Sequence, residues 1–266
     1  MTTFTTIELD IAPRGIATIW LNRPAKHNAF DDRMIAELID ALGQIASDDE
    51  VRFVLLRGRG KHFSAGADLA WMQASANLDY AANLRDAHQL GELMDRLFHL
   101  PCPTLAIVQG AAFGGAVGLA ACCDIAIGAQ DSLFSLSEVR IGLAPAVISP
   151  YVVKAIGERS ARRYALSGER FNGERARELG LLAECYPSPE LDAAVDQWIS
   201  TLLLNSPQAM RTSKALLQGI GSGELGEAVR QRTESVIAGL RVSDEGQEGL
   251  NAFLEKRKPV WQEHSA

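Results

Sequence analysis

Four cysteines, five histidines and no apolar run long enough to cross a bilayer place this chain of 266 residues outside several classes of protein. Cys102, Cys122, Cys123 and Cys185 have no metal spacing and no look of a disulfide framework, so they read as buried free thiols in a reducing compartment. The polar opening MTTFTTIELD is not a signal peptide, and a cytoplasmic protein is expected, with no membrane partner. Basic residues are outnumbered as well: 26 Lys and Arg against 33 Asp and Glu give a formal net charge of -7. That balance argues against a general nucleic-acid or membrane-surface binder, although a local basic cluster can still grip a phosphate. There is no G-x-S-x-G to support a serine hydrolase and no G-K-[ST] of a phosphate-binding loop. His27, His62, His88, His99 and His264 show no metal spacing and adjoin no nucleophile motif, so no chemistry is assigned to them. His62 is expected to be packed or solvent-facing.

What is present is a pattern of glycines, strongest in Thr104 to Asp124, TLAIVQGAAFGGAVGLAACCD. Leu105 to Val108 is a short apolar run suited to a buried strand, and Gly110, Gly114, Gly115 and Gly118 follow it among small residues. The pattern predicts strand, tight turn and helix, with Gly114 and Gly115 at the helix N-terminus. The first amides of a helix lack intrahelical acceptors and carry partial positive charge, and glycine lets another group approach them. The stretch is thus a seat for negative charge, or else a glycine-lined helix packed tightly on a sheet. Its spacing does not fit G-x-G-x-x-G, which speaks against a dinucleotide site here.

Along the chain, Thr5 to Ile11 and Ile16 to Leu21 predict a hairpin around Pro13-Arg14-Gly15. Asp31 is a plausible N-cap for a helix to about Ile45 with Met34, Leu38, Ile39 and Leu42 on one face. Phe53 to Leu56 predicts a strand that runs into a second glycine-rich loop, RGRGKHFSAGADLAWM. A helix over Asn83 to His99 turns Leu84, Ala87, Leu90, Leu93, Met94 and Leu97 to one side, and Pro101 and Pro103 end it. Ile125 to Ile127 and Leu133 to Leu136 read as short strands, SEVRIGLAPAVISP as loop, and Phe171-Asn172-Gly173 as a turn. Helices from Tyr151 and Ser160 follow, and from Leu191 onward the pattern is nearly all helix: to Leu204, after Pro207, from Glu224 to Leu240 and from Glu245 to Lys256. The repetition of strand, loop and helix suggests a layered α/β core of spiral form. The closing helical module of about 65 residues is too small to rely on its own core, so oligomerisation is expected.

Two glycine-rich strand-to-helix loops, FSAGADL and FGGAVGL, each offer a backbone amide, at Ala67 and at Gly115. Two converging amides make an oxyanion hole, which holds a carbonyl oxygen as it gains charge. LNRPAKHNAF, HFSAGADL, QGAAFGGAVGLAACCDIAIG and SLSEVRIGLAP, in this order, together with EGQEGLNAFLEKRKPVW, resemble the crotonase (enoyl-CoA hydratase/isomerase) superfamily almost end to end. The resemblance implies a spiral of ββα units over residues 1–200 and a helical trimerisation module over 201–266, with trimers pairing into hexamers. It implies acyl-CoA thioesters as substrates, with CoA arriving as part of the substrate and no cofactor or metal, and it makes Ala67 and Gly115 the oxyanion hole.

The family's two acid/base carboxylates fall, in this numbering, at position 118, where Gly118 leaves one missing, and at Glu138, where one is present. Hydration of an enoyl thioester would then rest on Glu138 for both proton transfers. Closer likeness, through HFSAGADLAWMQ and SEVRIGLAPAVISPYVVKAIGER, is to bacterial hydratases of 3-methylglutaconyl-CoA and isohexenylglutaconyl-CoA, whose esters carry a second carboxylate. Arg140 is the nearest cation in sequence for that carboxylate, with a structural salt bridge as its alternative, and Gly118 is expected to widen the pocket for the β-branch. For CoA the resemblance points to Arg23 and Lys26, to Ala65, Gly66, Asp68 and Leu69, and to Phe253 and Lys256, the last two reaching a neighbouring subunit's ligand. Lys256 also fits a solvated charge run, Asp68 a cap, and Asp124 a structural role. The alternatives are an enoyl-CoA isomerase on the same site and a CoA-ester binding scaffold without catalysis.

Overall fold

The computed structural model describes residues 4–220 and 225–263, so the expectations made for Glu224 and His264 lie outside the described residues. The chain falls into two compact units, one of Met1–Leu100 and Thr104–Ala194, the other of Pro101–Pro103 and Val195–Ala266.

The first unit opens on the expected hairpin, β1 (Ile7–Ala12) against β2 (Ile16–Leu21). Every strand added to that sheet afterwards is parallel: β3 (Phe53–Gly58), β4 (Thr104–Val108), β6 (Ile125–Ala129) and β9 (Glu184–Tyr186), in the order β1-β2-β3-β4-β6-β9. Inner parallel strands are covered on both faces, so β3 and β4 are buried nearly throughout where β2 alternates. A second sheet is made of β5 (Ala111–Phe113), β7 (Leu133–Ser135) and β8 (Arg170–Asn172), with β7 parallel to β5 and antiparallel to β8. Its registers put Phe113, Ser135 and Arg170 in one lateral row.

The helices of this unit are α1 (Asp32–Ala46), α2 (Leu69–Ser75), α3 (Tyr80–Phe98), α4 (Gly115–Cys122), α5 (Ser149–Ile156), α6 (Glu158–Ser167) and α7 (Gly173–Leu179). Asp31 caps α1 as expected, accepting from Met34 N at 2.9 Å, and Met34, Leu38 and Leu42 are buried with Ile35, while Ile39 is half-buried. α4 is small and apolar on all sides because it is sunk in the core. Asp124 is structural: its Oδ2 accepts from the backbone N and hydroxyl of Thr104 at 2.8 and 2.9 Å, joining the starts of β4 and β6.

Several elements depart from the pattern. A short strand, β5, stands between the turn at Gly110 and α4, so the unit is strand, turn, strand, helix. Phe171 and Asn172 belong to β8, and Asn172 caps α7 by accepting from Arg175 N at 3.0 Å. α3 begins at Tyr80, one turn earlier than its leucine pattern, capped by Asp79. Leu84 on that early turn is 55% exposed, and burial begins only at Leu93.

The second unit is helical: α8 (Leu191–Leu203) from Val195 on, α9 (Pro207–Ile220), α10 (Glu227–Val242), α11 (Asp244–Glu255) and α12 (Val260–Glu263). The helix expected at Pro207 is α9, which Pro207 opens, and Ser206 Oγ accepts from Ala209 N at 3.0 Å. The tripeptide Pro101–Pro103 belongs here, and Lys214, although buried, donates from Nζ to Cys102 O at 3.1 Å. Among the described residues no helix is long and apolar enough to cross a membrane.

Candidate active site

The loop after β3 is stitched along both edges. Ser64 N donates to Ala111 O at 3.0 Å and Phe113 N to Ser64 O at 3.1 Å, which ties it to β5. On the other edge Phe30 N donates to Gly66 O at 2.8 Å and Asp68 N to Phe30 O at 2.7 Å. In such a parallel bridge Phe30 takes the groups of residues 66 and 68, so the N–H of Ala67 points the opposite way and is left for another acceptor. Gly66 has φ +93, and a Cβ there would stand 3.0 Å from Phe113 O, so only glycine fits this approach to β5.

At the end of β5 the chain turns through Gly114, with φ 53 and ψ -119, into α4. Gly114 N donates to Ser135 O at 2.9 Å, which leaves Gly115 N, the first amide of α4, without an intrahelical acceptor. A side chain at 114 would also meet Glu138, whose Oε1 lies 3.0 Å from the Cβ position. Glu138 follows β7 and Ser137 and opens a single 3-10 turn, Glu138–Ile141. Its Oε2 is buried and has no hydrogen-bond partner, and burial pushes its pKa above the usual carboxylate range.

Ala67, Gly115 and Glu138 line one cavity of about 670 Å³, together with Ala65, Gly66 and Leu69. α2 adds Trp71 and Met72, the early turns of α3 add Asn83, Asp86 and Leu90, and Arg140, Ile148 and Arg170 complete the wall. Of the residues added by α2, α3 and the later segments, only Arg140 is a site candidate from sequence. Arg170 adjoins Phe171-Asn172-Gly173, which the sequence predicts as a turn, and the polar residues of α3 carry no motif that marks them.

Other expected residues stand elsewhere. Gly118 is not on the cavity wall, which corrects the expectation that it widens the pocket: Ile148 fills the space, its Cγ2 only 2.3 Å from where a Cβ at 118 would be. Arg23 is also off the wall, its guanidinium committed to Asp31 at 2.9 Å, Asp68 at 3.0 Å and Ala29 O at 2.6 Å. Asp68 in turn caps α2 through Ala70 N at 2.8 Å, and the cap and Arg23 together hold its pKa below the usual carboxylate range despite its burial. These two residues therefore brace the Ala67 loop, and neither offers free charge to a phosphate. Lys26 is exposed at the end of a 3-10 turn. In the helical unit Phe253 is 81% exposed and Lys256 caps α11 in left-handed conformation. His62 is packed: Nδ1 accepts from Ala111 N at 3.0 Å, and burial, then His27 and Lys61, lower its pKa. Among the described residues no cluster of three or more His, Cys, Asp or Glu is placed to hold a metal ion.

Residues 12–264 match the family described as enoyl-CoA hydratase/isomerase. The 2,3-dehydroadipyl-CoA hydratase of Escherichia coli is 30% identical over 245 residues, covering 92% of this chain and 94% of that protein. Among solved structures, an enoyl-CoA hydratase from Shewanella pealeana superposes with a TM-score of 0.93 at 47% identity, covering 97% of this chain and 96% of that one. Pseudomonas aeruginosa AtuE superposes with a TM-score of 0.92 at 37% identity, covering 97% and 99%.

Proposed function

This chain belongs to the enoyl-CoA hydratase/isomerase family, and we propose that within it the protein is a hydro-lyase adding water to a branched α,β-unsaturated acyl-CoA, 3-methylglutaconyl-CoA or isohexenylglutaconyl-CoA. The observation that carries this is a buried, unpartnered carboxylate oxygen, Glu138 Oε2, on the wall of the cavity that also holds the amides of Ala67 and Gly115.

In this mechanism the thioester oxygen accepts from the two amides, which stabilise the enolate as it forms. Glu138 takes a proton from water, the hydroxide oxygen bonds to Cβ, and the electron pair of the double bond passes through Cα to the thioester oxygen. Glu138 then returns the proton to Cα and is again a carboxylate. One group serves both steps because position 118 has no carboxylate and hydrocarbon from Ile148 occupies its place. A lone acid of raised pKa suits this double duty, since it must take and give a proton near neutral pH. The same lone acid also suits double-bond migration, which is why the isomerase stays the second reading. Dicarboxylic substrates are favoured by Arg140 on the cavity wall, and the E. coli relative's named ester, 2,3-dehydroadipyl-CoA, has a free carboxylate at its far end.

Loss of the enoyl thioester absorbance on hydration tests the reading, and a gain of that absorbance from a β,γ-enoyl ester would mark an isomerase instead. Glu138→Gln should lower turnover by at least about 10²-fold while saturated acyl-CoA still binds. Full activity in that variant would remove Glu138 from the chemistry.

A further inference from the structure

Arg140 and Arg170 come from different elements, and both line the cavity. The stem of Arg140 runs beside Gly168, where a Cβ would stand 3.0 Å from Arg140 Nε. Arg170 lies two residues further on, at the start of β8. It sits opposite Ser135 in the sheet, and across that small residue its guanidinium carbon reaches to 5.2 Å from the Phe113 ring centroid. Neither guanidinium has a carboxylate partner among the described residues. The two acids between them in sequence are engaged elsewhere: Glu158 pairs with Arg162 at 3.0 Å, and Glu169 with Arg163 at 2.7 and 3.2 Å. The cavity's own acids, Glu138 and Asp86, form no ion pair with either arginine. Two like charges thus line one ligand cavity with no ion-pair partner among the described residues, and an anion bound there would have both guanidinium groups to draw on.

We propose that Arg140 and Arg170 form a two-arginine site for the second carboxylate of the acyl group, with Phe113 holding Arg170 in place. The proposal rests on the acyl-CoA reading above and adds Arg170 as a determinant of specificity. A CoA phosphate has the same charge and would suit the same forks, so the test must separate the two anions.

Glutaryl-CoA and pentanoyl-CoA have the same carbon count and the same CoA, and differ in a terminal carboxylate against a methyl. By calorimetry, Arg170→Gln should raise Kd for glutaryl-CoA about tenfold more than for pentanoyl-CoA, Arg170→Lys should do so less, and added salt should shrink the difference. An equal rise for both esters would assign the arginines to CoA phosphate and overturn the proposal, as would no rise for either. Because neither ester reacts, the result does not depend on catalysis. Wild-type protein that prefers glutaryl-CoA but hydrates neither 3-methylglutaconyl-CoA nor isohexenylglutaconyl-CoA would support the arginine site and overturn the hydratase reading alone.

Discussion

Glu138 is held in the state most costly for an ionised carboxylate, buried with one oxygen unpartnered, and this ties its chemistry to stability. As a base it must be ionised, so the acid limb of kcat/KM against pH should fall above the ordinary glutamate range, and a limb at or below that range would contradict its assigned role. For stability the sign follows from the raised pKa. The folded state binds the proton more tightly than the unfolded chain, so this contribution is present at low pH and lost as pH rises through the folded-state value. Glu138→Gln removes the titration, and its Tm relative to wild type should therefore improve between pH 4 and pH 8. An unchanged difference would mean that the carboxylate is solvated in solution. Gly114 is the matching residue: its bare Cα and positive φ let the backbone pass Glu138 Oε1 while aiming the next amide into the cavity.

At the level of elements, the site is a meeting of ends: the loop after β3, the start of α4 and the turn after β7. Their mutual placement comes from the cross-links of Ser64 with β5, of Phe30 with Gly66 and Asp68, and of Gly114 with Ser135. The chain entering α5 contributes Ile148, whose seat on α4 exists because residue 118 is glycine. Gly118→Ala would drive a methyl into Ile148 and should cost about 1–3 kcal/mol in denaturant unfolding. Combined with Ile148→Ala, which carries its own truncation cost, it should lose less than the sum of the two single variants. Additive losses in the double variant would show that the two residues do not share the space. The same packing explains why restoring a carboxylate at 118 alone would not recreate a second acid.

At the scale of the whole molecule, the helical unit leaves Leu217, Val242, Phe253 and Leu254 each more than 60% exposed, a large apolar load for a piece of its size. We expect it to be covered by further copies of the chain, so light scattering should give a mass that is a multiple of three times 28.7 kDa. A monomer at micromolar concentration would refute that assembly. The alternation of β2, the apolar runs of β3 and β4, the cap at Asp31 and the proline-led start of α9 were all legible in the sequence, because each depends on neighbours a few residues away. So was the choice of Ala67, Gly115 and Glu138 as candidates, through small residues and an ordered set of motifs. The sequence did not disclose β5 and β8, whose three-residue strands exist only because partners far along the chain pair with them. Nor did it show that Arg23 is spent on two carboxylates, that Ile148 fills the gap at Gly118, or that Arg170 lines the same cavity as Arg140. Local pattern determined the long helices and the inner strands, and it marked the two glycine-rich loops. Only tertiary packing decided which charges are neutralised and which face the cavity, because ion pairing and the filling of space depend on distances between residues that the chain order does not specify.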